Sequence, residues 1–173
     1  MNFKNLIAFV LLVTAGCVEN TTIDVGPNGL PYQRAYVISQ ADTGRIQFSM
    51  LDGVNSIRHV RGLSSLSLNA KLNAAAATHS RDMAVQNRAW HFGSDGSSPP
   101  TRLLRVGYQG KLLGENISET FESELETLAA WMENPATRDV LLTDSAEDMG
   151  FSWFQEPSGK IWWTLVTGIP NQT

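Results

Sequence analysis

Cysteine occurs once in these 173 residues, at Cys17, so the chain has no partner for an internal disulfide. Charge is scarce at 17%, and the thirteen Lys and Arg against seventeen Asp and Glu give a net −4. The basic residues are scattered and form no stripe to release phosphate counterions, which excludes nucleic acid as a partner. Leu6 to Val13, an eight-residue apolar run, falls far short of the ~20 residues a transmembrane helix needs. There is no internal repeat or low-complexity run. The Gly-x-Ser-x-Gly elbow and the His-Glu-x-x-His helix are also missing, and with them two familiar hydrolase signatures. What remains is an ordinary globular composition, 42% apolar, in a length that suits one domain. A domain of this size buries roughly two thirds of its unfolded surface, so folding requires neither metal nor disulfide.

The N-terminus reads as an address. Lys4 supplies a positive start, Leu6 to Val13 an apolar core, and Ala15-Gly16 the small residues before a cut. Residues 1–16 are therefore expected to be a lipoprotein signal peptide. Thr14-Ala15-Gly16-Cys17 resembles a bacterial lipobox, with Thr14 where Leu is usual, and this implies lipidation of Cys17 as the first mature residue. Each buried methylene adds ~0.8 kcal/mol of membrane affinity, so two or three acyl chains anchor a protein durably. Removing residues 1–16 takes away Lys4 and no acid, so anionic headgroups repel the body and the lipid alone tethers it. Residues 17–31 hold turn-forming Pro27-Asn28-Gly29 and Pro31 without any period and are expected to be the tether. The expected location is the bacterial cell envelope, at the outer membrane or the periplasmic face of the membrane.

One domain is expected over 32–173. Arg34 to Ile38 is either a short edge strand or chain docking onto the domain. Ile46, Met50, Val54, Ile57 and Val60 recur at helical steps, predicting a helix over 45–61, with Gly53 inside it marking close packing or a break. Asn69 is a suitable N-cap for a second helix reaching Asn87, with Leu72, Ala75, Ala76, His79 and Met83 inward and Ala74 to Ala77 offering a slim face. A third helix is expected over 119–132, its acids Glu119, Glu122, Glu124 and Glu126 forming a solvated, dipole-matched first turn. From Met149 to Val166 the period drops to two on either side of Glu156-Pro157-Ser158-Gly159, which predicts an antiparallel hairpin. Both its faces are apolar, so helices should cover both. The fold class expected is α+β, a three-layer α-β-α sandwich around a small antiparallel sheet.

Val54-Asn55-x-x-Arg58-x-x-Arg61-Gly62-Leu63-x-x-Leu66-x-Leu68-Asn69-x-x-Leu72 resembles the opening of bacterial CAP-superfamily domains. That superfamily takes its name from cysteine-rich secretory proteins, antigen 5 and plant pathogenesis-related 1 proteins. His79-Ser80-x-Asp82-Met83-Ala84, His91-x-Gly93-Ser94-Asp95-Gly96-Ser97 and Arg102-x-x-x-x-Gly107-Tyr108 continue the match. Gly114-Glu115-Asn116-Ile117, Trp131-Met132 and Gly159…Trp162-Trp163-Thr164 complete it in order over about residues 45–170. The resemblance implies an SCP-like α-β-α sandwich, in agreement with the layers read from periodicity.

It also implies a cleft whose floor carries two histidines and two glutamates, which bind a divalent metal in some members. The first histidine falls on His91 and the first glutamate on Glu115. The second glutamate falls on Asn134, beside Glu133, and the remaining histidine on Thr137. The cleft is thus expected from His91, Glu115, Glu133, Thr137 and His79. Two donors are too few for zinc, which takes three or four, so no cofactor is required and a divalent metal such as zinc depends on Glu133 or His79 swinging in. No residue is committed to catalysis; His91 and Glu115 are the candidate acid–base couple. His79, on an inward stripe, also reads as a core histidine. His59 suits a helix C-terminus and is assigned no function. Ser94, Ser97 and Ser98 read as turn chemistry, and Trp90 as a candidate cleft wall among otherwise core tryptophans. The expected function is a non-catalytic binding or cell-envelope module, with a membrane partner through Cys17 and a lipid-like or cell-wall ligand. The alternatives are a peptidase- or amidase-like hydrolase using His91 and Glu115, and a purely structural scaffold.

Overall fold

The computed structural model describes residues 36–120 and 122–172. The expected signal peptide, the Cys17 lipidation site and the 17–31 tether lie outside the described residues, as do Arg34, Ala35 and Phe121.

Helix α1 spans Thr43–Val60 and buries Ile46, Met50 and Val54 at the expected steps. Its stripe then continues through Arg58 rather than Val60, which is exposed. The Arg58 guanidinium is fully buried and donates to the carbonyls of Ser64, Leu141 and Thr143 at 2.8 to 3.0 Å, and to that of Ala146 at 3.4 Å. Two connecting segments are thereby fastened to one helix. Gly53 marks close packing, since a Cβ there would meet Leu128 Cδ2 at 2.7 Å.

The two-residue strand β1, Ser67–Leu68, leads into α2, Ala70–Gln86. Asn69 caps α2 as expected, its side chain accepting from Lys71 N and Leu72 N. Of the four alanines only Ala75 and Ala76 face inward. Then come α3 (Pro99–Arg105), β2 (Gly110–Thr120), α4 (Glu124–Glu133), α5 (Pro135–Leu141), β3 (Asp148–Gln155) and β4 (Ile161–Pro170). The sheet runs β1-β3-β4-β2. Its three longer strands are antiparallel, as expected, and β1 adds a short parallel pair to β3.

Alternation along β3 and β4 sends side chains to two different helix layers. Phe151, Ile161, Trp163 and Leu165 pack with Ile46 and Met50 of α1, Trp131 of α4 and Leu141 of α5. Val166, on the other face, packs with Leu72, Ala75 and Ala76 of α2 and Leu103 of α3. The result is the α+β three-layer arrangement read from the sequence.

The third helix begins later than expected. Ser123 and Glu126 form a capping box, so α4 starts at Glu124, and Glu119 belongs to β2. Nor is the acidic turn uniformly solvated. Glu124 is buried, accepts from the Tyr36 hydroxyl at 3.0 Å and lies 3.7 Å from Arg45. Tyr36 to Ser39 docks rather than pairing as a strand: Ile38 N donates to Gln155 Oε1 at 2.9 Å.

Gly150 of β3 determines how closely α2 approaches the sheet. A Cβ there would collide with the Leu72 backbone, which has no room to move. Gly150→Ala is therefore expected to lower stability by about 2–3 kcal/mol through overpacking, measured as a shift of the urea unfolding midpoint. An unchanged midpoint would show that α2 rides free of β3.

Candidate functional site

Glu115 sits in β2 opposite Val166, and paired residues share a face, so its carboxylate points toward the α2–α3 layer. The side chain is 3% exposed. A carboxylate this buried needs partners, and three elements supply them or their neighbours.

The first is α3, which begins at Ser98, whose hydroxyl accepts from Thr101 N, with prolines in its first turn. From its last turn Arg102 reaches back to Glu115. Nη2 donates to Oε1 at 2.9 Å and to Oε2 at 2.7 Å, and the guanidinium is 4% exposed. Nη1 donates to the carbonyls of His91 and Ser97, both at 3.1 Å.

The second is the loop after α2. Left-handed Asn87 (φ 48°) ends the helix, and Asn tolerates that conformation better than most residues. Gln86 and Asp82 then hold the loop from α2. Asp82 accepts from Ser94 N at 2.7 Å and from Ser94 Oγ at 2.6 Å, while Gln86 accepts from Trp90 Nε1 at 2.7 Å. Gly96 (φ 75°) turns the loop back on Gly93. Ser97 and then Arg105 hold the Asp95 carboxyl well below the usual carboxylate range. The loop so fixed presents His91, whose Nδ1–H donates to Glu115 Oε1 at 2.9 Å and whose side chain is 50% exposed. Nε2 of His91 has no protein partner among the described residues.

The third is α2 itself. His79 is fully buried, with Nε2 2.9 Å from Trp90 O and 3.8 Å from Glu115 Oε1. A carbonyl only accepts, so Nε2 carries the hydrogen and Nδ1 is a bare lone pair, buried without a partner among the described residues. Burial pushes the His79 pKa below its ordinary 6.5, against the pull of Glu115 and with the help of Arg102. Beside this constellation a cavity of about 210 Å³ opens between α2, α3 and the 94–97 turn, lined by Thr78, His79, Asp82, Ser94, Arg102 and Arg105 among others.

The sequence reading places His91, Glu115 and His79 in one site, and the structure brings these three together. It does not bring in the other two expected residues. Asn116, one step along β2 and so on the opposite face, donates to Thr137 O at 2.8 Å, which puts Thr137 on the α5 side of the sheet. The Thr137 hydroxyl donates to Trp131 O at 2.7 Å. Glu133 ends α4, exposed, in that same layer. Trp90 contributes its carbonyl to His79, while its ring packs beside Phe92 and under Arg88. Ser94 and Ser98 are occupied in turn and cap bonds, and neither meets His91. The residue missed is Arg102, legible only as a motif position; nothing local announces a partner thirteen residues onward.

The donor set does not fit a metal. Both Glu115 oxygens already accept from a guanidinium, His91 Nδ1 is spent on the same carboxylate, and Thr137 lies on the far face. Among the described residues no group of three or more His, Cys, Asp or Glu is arranged to hold an ion.

Two outcomes follow from this geometry. Replacing Glu115 with Gln leaves the buried Arg102 charge uncompensated and is expected to cost about 3–5 kcal/mol, read from urea denaturation. His79 has a folded pKa below its unfolded one, so the unfolded chain takes up a proton first as pH falls from about 6.5. Stability is therefore full above that value and declines below it, and His79→Gln should flatten the decline. Unfolding midpoints between about pH 5 and 8 measure this, and a slope shared by both proteins would remove His79 as its source.

The family model described as "Cysteine-rich secretory protein family", CAP, matches residues 51–167. YkwD of Bacillus subtilis (strain 168) is 29% identical over 108 residues, 62% of this chain but 41% of that protein, so the chain spans under half the length of this relative. An outer surface protein from Borrelia burgdorferi superposes with a TM-score of 0.68 at 13% identity, over 78% of this chain and 97% of that one. An extracellular SCP-domain protein from Bacillus anthracis gives 0.65 at 21% identity, over 79% and 45%. At such identities the likeness is one of fold. The matched span and the ordered motifs within it place this chain in the CAP family.

Proposed function

We propose that this protein is an extracytoplasmic CAP-domain binding module, held to the cell envelope by lipid on Cys17, with its ligand site at the His91–Glu115–His79 cluster and the adjoining cavity. One observation carries the non-catalytic reading. Both oxygens of the Glu115 carboxylate are already bound by Arg102 at 2.7 and 2.9 Å, and Nδ1 of His91 is spent on the same carboxylate. A cluster whose polar groups are committed to one another, with only the exposed Nε2 edge of His91 left over, recognises a ligand more readily than it drives a reaction. No serine hydroxyl is aligned on it as a nucleophile among the described residues, which disfavours the hydrolase alternative.

The lining of the cavity narrows the ligand class. Thr78 and Ser94 bring hydroxyls, Asp95 pairs with Arg105, and Asp82 adds a carboxylate that accepts from Ser94. Such a wall suits a neutral, hydroxyl-rich group, as in a cell-wall fragment or a lipid headgroup, better than a bare acyl chain. The placement outside the cytoplasm rests on Lys4, the apolar run 6–13 and the Thr14–Cys17 motif. It is consistent with an extracellular protein and an outer surface protein sharing this fold.

In a fractionated bacterial host the full chain is expected in membranes and Cys17→Ser in the soluble extracytoplasmic fraction. Native mass spectrometry against a panel of lipids and peptidoglycan fragments should then find an adduct that weakens with His91→Ala. A Cys17→Ser protein that stays in membranes would remove the tether, and a panel without adducts would remove the binding site. Turnover of a panel member that collapses with His91→Ala would favour the hydrolase.

A further inference from the structure

Metal centres built from His and Glu draw a carboxylate, imidazoles and neighbouring backbone toward one positive point. Here the same convergence exists around a different positive point. Arg102 Nη2 lies 2.9 and 2.7 Å from the two oxygens of Glu115. Its Nη1 donates to the carbonyls of His91 and Ser97 at 3.1 Å, so one side chain from α3 gathers strand β2 and two points of the loop presenting His91. The guanidinium is 4% and the carboxylate 3% exposed, so neither turns out to solvent without abandoning these bonds.

We infer that Arg102 is the resident cation of this site: a built-in positive charge that assembles the Glu115–His91 cluster and bars a divalent ion from it. Three physical points support this. A guanidinium stays protonated across the accessible pH range, so the charge is never absent. Its planar fork spreads donors over a carboxylate and two carbonyls at once, which a lysine ammonium at one point does not reproduce. A divalent ion on Glu115 would have to sit beside this fixed charge in a poorly screened interior, where like charges repel strongly. His91 is then oriented by protein alone, and chelators should leave the site intact. This concerns how the site is assembled and holds whatever the cleft binds.

The test is a zinc titration of the full chain by calorimetry and by competition with a chromophoric chelator. Wild type and His91→Ala should show the same weak zinc affinity, and EDTA should leave the wild-type melting temperature unchanged. Arg102→Met, of similar length and uncharged, should bind zinc at least about tenfold more tightly than wild type once the repulsion is gone. Arg102→Met combined with His91→Ala should lose that gain. A wild-type zinc site of micromolar affinity that disappears in His91→Ala would overturn the inference, as would a folded Arg102→Met without any gain. Should Arg102→Met fail to fold, the comparison of wild type with His91→Ala decides. Equal affinities uphold the resident cation, and a His91-dependent site refutes it.

Discussion

A carboxylate placed on the inward face of a sheet strand has to be answered by charge, and the geometry around β2 follows from how Glu115 is answered. Arg102 neutralises it, and in doing so draws α3 against the strand and anchors the carbonyls of His91 and Ser97. The His91 imidazole completes the arrangement from the solvent side. Without Arg102 the 87–98 loop would keep its attachments to α2 through Asp82 and Gln86 and its one bond from His91 to Glu115, but lose the two carbonyl contacts that tie it to α3. The cluster is thus a joint between two secondary elements.

The same solution recurs on the other side of the molecule in a different form. Arg58 is buried without a salt bridge among the described residues, and four backbone carbonyls disperse its charge instead. Fully satisfied donors make such a group tolerable in a core. The two arginines divide the labour between the layers: Arg58 closes the α1 side by gathering loops, and Arg102 closes the α2–α3 side by gathering functional groups.

Much of the fold was legible because its strongest signals are local. The three- and four-residue spacing in α1 and α2, the Asn69 cap and the alternation of Met149 to Val166 all act within a few residues. Strand β2 was hidden for a physical reason. An extra residue at Leu113, between Leu112 and Gly114, shifts its register against β4, which breaks the period of two that would have betrayed it. Its exposed Glu119 then looked like the start of the helix that follows. The short α3 and α5 carry too few turns to show a period. In the site, His91 and Glu115 were found through family motifs rather than spacing. Thr137 falls outside the cluster because alternation along β2 sends Asn116, and the Thr137 carbonyl it binds, to the opposite face, and Glu133 stands exposed at the end of α4. Arg102 pairs across a loop, and no window of sequence encodes that meeting.

Strand β4 lies between β3 and β2, yet it follows every other described element in chain order. Both helix layers rest on its two faces through Trp163 and Val166. A chain emerging from a ribosome therefore exposes its helices and outer strands before the strand that joins them is made. Non-local closure of this kind is slow, so the two helix layers stay unjoined until β4 is available to pair.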